Sequence, residues 1–148
     1  MSAQQQVADK IKQAIKLKDT VALTALRALK SAFMLANTEV SSTTLTEQDE
    51  LKIIQKQVKQ RKDSAALYVE QNRKDLATAE LAEAAVIEQF LPKALSEEEI
   101  KKIVVEVIDE QGAKDIKDMA NVVKETLKRT AGQADGKTVA KHVKVQLL

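Results

Sequence analysis

Cysteine is absent from the sequence, which removes disulfides, thiolate metal sites and a cysteine nucleophile and fits a reducing compartment, here expected to be the cytoplasm. Proline occurs once and glycine three times, so few positions interrupt a helix. Abundant Ala, Leu, Glu, Lys and Gln favour long helices, and a β-rich fold is not expected. The aromatic residues, Phe33, Tyr68 and Phe90, fall on apolar stripes, so base stacking is not available as a main mode of nucleic-acid recognition. No run of about 18 apolar residues exists to span a bilayer, and the N-terminus has no apolar stretch of signal-peptide length. A soluble protein without a membrane partner is expected. A formal net charge of +2 falls short of the strong basic field of an obligate nucleic-acid coat. P-loop, G-x-G-x-x-G and G-x-S-x-G motifs and a Ser-rich amidase stretch are missing as well.

What is present is helical periodicity, most sharply broken between Ile87 and Ile100, where the lone proline stands beside the most legible helix start. Pro92 lacks an N–H and pushes Leu91 out of the helical region, so a helix arriving from Asp75 should stop near Phe90 or Leu91. Ser96 and Glu99 are spaced for a capping box, Leu95 and Ile100 for a hydrophobic staple, and Glu97 to Glu99 complement the new helix dipole.

Upstream, Val7, Ile11, Ala14 and Ile15 predict a helix ending near Lys18, with Asp19 capping the next. Ala22, Leu26, Leu29, Phe33 and Ala36 predict a second helix that fades after Asn37, and Val40 to Thr44 reads as a loop. Thr46 caps a third, whose seam runs Leu51, Ile54, Val58, Arg61, Ala65, Tyr68. A fourth, from about Lys74, turns Leu76, Glu80, Glu83, Ala84, Ile87, Phe90 and Leu91 inward, antiparallel to the third after a turn near Asn72. Downstream, Ile100, Ile103, Val104, Val107 and Ile108 form a stripe closed by Gly112. Asp115 caps a sixth helix through Ile116, Met119, Val122, Val123 and Leu127, and Asp135 caps a last one bearing Val139, Val143 and Leu147. The expected fold is all-α: a domain of about four helices in antiparallel hairpins over residues 1–92, then a three-helix domain over 93–148.

Two constellations carry candidate chemistry. Arg61, Asp63, Arg73, Glu80 and Glu83 place charges in a mostly apolar seam, and the expectation is a structural ion-pair network in which Glu80 or Glu83 meets Arg61 or Arg73. Helical di-metal sites add an E-x-x-H element, whereas the one histidine, His142, lies in the other domain, expected at the surface or edge of the last helix. No catalytic residue, metal or cofactor is expected. The second constellation is the turn from Gly132 to Lys137. Glycines flanking a helix start can offer backbone N–H groups to a phosphate, and Lys124, Lys128, Arg129, Lys137 and Lys141 surround Gly132 and Gly136 in a locally basic stretch. The bland alternative is an interhelix turn with solvated lysines.

RKDSAALY from Arg61 to Tyr68, NRKDLA from Asn72 to Ala77, ELAE from Glu80 to Glu83, FLPKALSEEEI from Phe90 to Ile100, KDMANVVKE from Lys117 to Glu125 and GQADGK from Gly132 to Lys137 stand in the order seen in GatB/YqeY-domain proteins. The chain resembles that family over nearly its full length. Its C-terminal part is similar to the tail domain of the B subunit of glutamine-dependent aspartyl/glutamyl-tRNA amidotransferase, which contacts the tRNA body while the chemistry lies elsewhere in that enzyme. The resemblance implies a non-catalytic module that binds tRNA or a tRNA-handling enzyme. Four positions depart from the family: Asn72 replaces a usual glycine, Phe90 a tyrosine, Ala120 a glycine, and Gln133 a cation of the expected RNA face. Family naming also implies an alternative, a carbon–nitrogen ligase with glutamine as amido-nitrogen donor, although no nucleophile, base or ATP site is found for it. A third reading is a protein–protein interaction module, which surplus exposed apolar area on the N-terminal hairpins would favour. RNA contact, if made, is expected at phosphates rather than bases.

Overall fold

The computed structural model describes residues 2–39 and 44–148; Val40 to Thr43, most of the expected Val40 to Thr44 loop, lie outside the described residues. The fold is all-α, as the periodicity predicts. Among the described residues, seven helices stand in the order α1 (Ala3–Leu17), α2 (Thr20–Glu39), α3 (Glu47–Glu70), α4 (Lys74–Glu88), α5 (Glu97–Gln111), α6 (Met119–Thr130) and α7 (Gly136–Leu147), with a 3-10 turn at Ile116–Asp118. No strand occurs among the described residues, and no helix there is long and apolar enough to cross a membrane. The chain divides into two compact units, Met1–Leu91 and Pro92–Leu148.

In the first unit, the helix ends are set by short polar side chains. Ser2 and Gln5 close a capping box on α1, Asp19 Oδ1 accepts from the Ala22 N–H at 3.0 Å at the start of α2, and Thr46 and Asp49 close a second box on α3. The Thr46 N–H bond holds the Asp49 carboxyl below its ordinary value. Asn72 turns the α3–α4 hairpin with φ +59°, a left-handed backbone that favours glycine and, among residues with a Cβ, tolerates asparagine.

Val7 and Ala14, Leu26, Leu29 and Phe33, Ile54 and Val58, and Ala84 and Ile87 bring the four helices onto one core. Ala65 and Ala77 are buried farther along the α3–α4 hairpin, outside that core, where small side chains let two helices approach closely. Asn37 Nδ2 donates to Gln4 Oε1 at 3.1 Å, and the Gln4 N–H donates to Glu50 Oε2 at 3.1 Å, so the ends of α2 and the starts of α1 and α3 gather at one end of the unit. The α1–α2 turn at Lys18 and Asp19 occupies the other end.

Two boundaries differ from expectation. α2 runs on to Glu39 past the fading of its stripe, and α4 stops at Glu88. After it the chain tightens into i to i+3 bonds, Phe90 N–H to Ile87 O at 3.2 Å and Leu91 N–H to Glu88 O at 3.0 Å, because Leu91 must leave the helical region ahead of Pro92.

The second unit packs Ile100, Val104 and Val107 of α5, Val122 of α6, and Val139, Val143 and Leu147 of α7 around a separate core. Of the expected box on α5 the structure makes one half, with Ser96 Oγ accepting from Glu99 N at 3.2 Å. Ile116 leaves the α6 stripe assigned to it: it sits exposed in the 3-10 turn. Thr126 and Thr130 take the inward positions instead. Each is fully buried and satisfies its hydroxyl on its own helix, Thr126 to Val122 O at 2.7 Å and Thr130 to Thr126 O at 3.0 Å.

Candidate functional site

The seam constellation is smaller than the sequence suggests. Arg61 Nε lies 3.8 Å from Glu83 Oε1, with side chains 13% and 21% exposed. That distance permits an ion pair but no hydrogen bond, and Nε has no hydrogen-bond partner. The guanidinium is held instead from its own helix, Nη1 donating to Gln57 Oε1 at 2.8 Å and to Gln57 O at 3.2 Å. Asp63 pairs with Lys59 at 3.0 Å on the exposed side of α3. Arg73 forks onto Asp75, two residues on, with both contacts at 3.2 Å, and this holds the Asp75 carboxyl below its ordinary value. Glu80 is half-buried and meets no cation among the described residues. Of five expected members, only Arg61 and Glu83 come together, because Asp63 and Arg73 are taken by the nearby Lys59 and Asp75 and Glu80 meets no cation among the described residues.

In the second unit the charges divide into two groups. From Lys114 onward the four carboxylates are engaged: Asp115 Oδ1 accepts from Lys117 N at 2.9 Å, Asp118 Oδ2 from Lys114 N at 3.0 Å, Asp135 Oδ1 from Thr138 N at 2.6 Å, and Glu125 Oε1 from Arg129 Nε at 3.2 Å. Arg129 also binds Glu110 on α5; this contact holds the Glu110 carboxyl low and raises the guanidinium further. Lys124, Lys128, Lys137 and Lys141 are all exposed, and none forms an ion pair among the described residues. The first two are one helical turn apart on α6 and the other two one turn apart on α7.

The Gly132 to Lys137 turn is built differently from a phosphate cradle. Gly132 adopts φ +83°, but the amide end of α7 already receives the Asp135 carboxylate, where an incoming anion would sit. Gly136 is the first residue of that helix. Gln133 works as a brace: its N–H donates to Thr130 O at 2.8 Å, its carbonyl accepts from Leu95 N at 2.9 Å, and its side-chain amide donates to Lys93 O at 3.3 Å. A residue reaching back to Lys93 and Leu95 has a structural task that a cation is not needed for.

Two further buried or half-buried polar residues stand outside both constellations. Glu50 is 5% exposed and borders a cavity of about 350 Å³ together with Ser2, Gln6 and Phe90. Its position in an acidic first turn hid it, although the Glu50, Ile54, Val58 spacing puts it on the buried stripe. His142, expected at the surface or edge of the last helix, is partly covered, its side chain 17% exposed; its Nε2 has no hydrogen-bond partner and lies 4.0 Å from Glu97 Oε1. Among the described residues, no group of three or more His, Asp or Glu is arranged to hold a metal ion.

Comparison with known proteins adds two findings. A family model described as "Yqey-like protein" matches residues 4–147. The chain is also 35% identical over 108 residues to altered inheritance of mitochondria protein 41, mitochondrial, of Clavispora lusitaniae. That stretch is 71% of this chain and 62% of the relative, so the chain spans less than two thirds of the relative's length.

Proposed function

The chain belongs to the YqeY-like family, and from that premise we propose that it is a non-catalytic helical module that binds tRNA, or an enzyme handling tRNA, through its C-terminal unit. The observation that carries this reading is the charge arrangement on α6 and α7. Lys124, Lys128, Lys137 and Lys141 stand exposed with no ion pair among the described residues, while Asp115, Asp118, Asp135 and Glu125 are turned onto the chain's own amides or onto Arg129. Flexible ammonium groups of this kind suit phosphates without a fixed sequence. The contact is assigned to these lysines and not to Arg129 or the Gly132 turn, whose anion-binding capacity the protein itself occupies. The absence of cysteine fits a reducing compartment, the cytoplasm in this reading.

The test is fluorescence anisotropy with total tRNA at two salt concentrations, comparing wild type with the variant in which the four lysines are alanine. Weaker binding with a shallower salt dependence supports the proposal, and equal affinity removes it. A protein-interaction role has its own supporting observation: Met34, Leu35, Leu67, Val69 and Leu81 of the first unit are all exposed. No observation favours the glutamine-dependent ligase alternative.

A further inference from the structure

The end of the first unit formed by the α1–α2 turn exposes large apolar side chains that neither core uses. Ile15 is 54% exposed, Leu17 77% and Val21 45%, all within two turns of the left-handed residue Lys18. Scattered apolar residues on a surface need no explanation; three around one hairpin turn do.

Their setting narrows the partner. Lys12, Lys16 and Lys18 are exposed around them, and none forms an ion pair among the described residues. The nearest carboxylate, Asp19, is turned onto the Ala22 N–H at 3.0 Å. The turn thus offers apolar side chains ringed by free ammonium groups. RNA would answer the lysines and leave Ile15, Leu17 and Val21 in water, and the turn has no aromatic residue on which a base could stack. A bilayer with anionic headgroups answers both, phosphates taking the lysines while the acyl boundary takes the apolar side chains.

We propose that the α1–α2 turn is a peripheral membrane contact, seating Ile15, Leu17 and Val21 at the acyl boundary of an anionic phospholipid bilayer with Lys12, Lys16 and Lys18 among its phosphates. The contact needs no spanning helix. Both halves of the arrangement are required: lysines alone give a loose, salt-sensitive adsorption, and three aliphatic side chains alone give little specificity for a charged leaflet.

The lack of native cysteine permits a direct test on the full chain. Leu17→Cys carrying an environment-sensitive dye should shift to the blue with phosphatidylglycerol/phosphatidylcholine vesicles and not with phosphatidylcholine alone, while a dye at Lys144→Cys stays unchanged. In cosedimentation, Ile15→Ser with Leu17→Ser should lower partitioning onto the anionic vesicles at least tenfold and leave tRNA affinity unaltered. Because both side chains are exposed, the circular dichroism melt of that variant should match wild type. An unmoved dye at residue 17, or equal partitioning of the double serine variant, overturns the proposal. So does a loss of tRNA affinity in that variant, which would mark an RNA surface. A dye shift that follows protein concentration without vesicles would mark self-association and overturn it equally.

Discussion

The Gln4 backbone N–H donates to Glu50 Oε2 at 3.1 Å across 46 residues of sequence, so a buried carboxylate of α3 caps the first turn of α1. Two helix starts share this corner, and their dipoles favour a negative charge there. Glu50→Ala should lower the unfolding free energy by about 1.5–3 kcal/mol, the range for a hydrogen bond to a charged group. Glu50→Gln, which keeps the shape, should lose less. Urea melts of the two variants measure it, and an alanine variant as stable as wild type would show that the corner is held by something else.

Across the α3–α4 seam, Arg61 and Glu83 attract each other without a hydrogen bond. A double-mutant cycle with Arg61→Ala and Glu83→Ala should give a coupling of about 1 kcal/mol or less. Arg61→Leu combined with Glu83→Leu should be neutral or stabilising by about 1 kcal/mol, since it removes both desolvated charges and an unmet donor from the seam, whereas Arg61→Leu alone leaves Glu83 without its cation and should destabilise. Glu80→Ala should cost about 1 kcal/mol or less, as Glu80 has no cationic partner among the described residues. A large coupling would mean that the pair closes to hydrogen-bonding distance in solution.

Acid sensitivity should be traceable to Glu110. Its folded-state pKa is depressed, first by the hydrogen bond from Arg129, so its stabilising contribution is complete above the ordinary glutamate value and disappears as pH falls through the lower folded value. Thermal melts from about pH 6 down to about pH 3 should therefore show a gentler loss of stability in Glu110→Gln than in wild type. The same slope in both proteins would show that the Arg129 contact does not persist in solution.

If α6 and α7 bear the phosphate contacts, four alanines in place of Lys124, Lys128, Lys137 and Lys141 should reduce the slope of log affinity against log salt by about 3. Arg129→Ala should leave that slope nearly unchanged and lower the melting temperature, because its charge is spent on Glu110 and Glu125. Reversed roles for the arginine and the lysines would move the interface.

Asn72 supplies a backbone test. With φ +59°, Asn72→Ala should cost about 1 kcal/mol of stability, whereas Asn72→Gly should remain within about 0.5 kcal/mol of wild type. Equal effects of the two substitutions would contradict a left-handed turn there.

Much of this fold is legible because each helix carries a stripe and a visible end. Asp19, Thr46, Ser96 and Asp135 are legible as caps from their place ahead of an apolar stripe, and each accepts from the start of its helix, as Ser2 does on α1. The charged residues are harder to read, since their partners depend on side-chain direction across helices. Arg129 looks like a free cation until α5 brings Glu110 against it, and Asp63 belongs to the seam by neighbourhood in sequence yet faces Lys59. Thr126 and Thr130 are missed for another reason: a hydroxyl that bonds back to its own helix behaves as an apolar group in the core, which a hydrophobicity pattern does not register.

Among the described residues, no buried side chain belongs to both apolar clusters. Severing the polypeptide between Leu91 and Pro92 would therefore leave each fragment with every interior contact that it now makes within its own cluster. Expressed apart, the halves should fold as independent pieces, and a partner recognised by one alone would be captured by that fragment as well as by the parent.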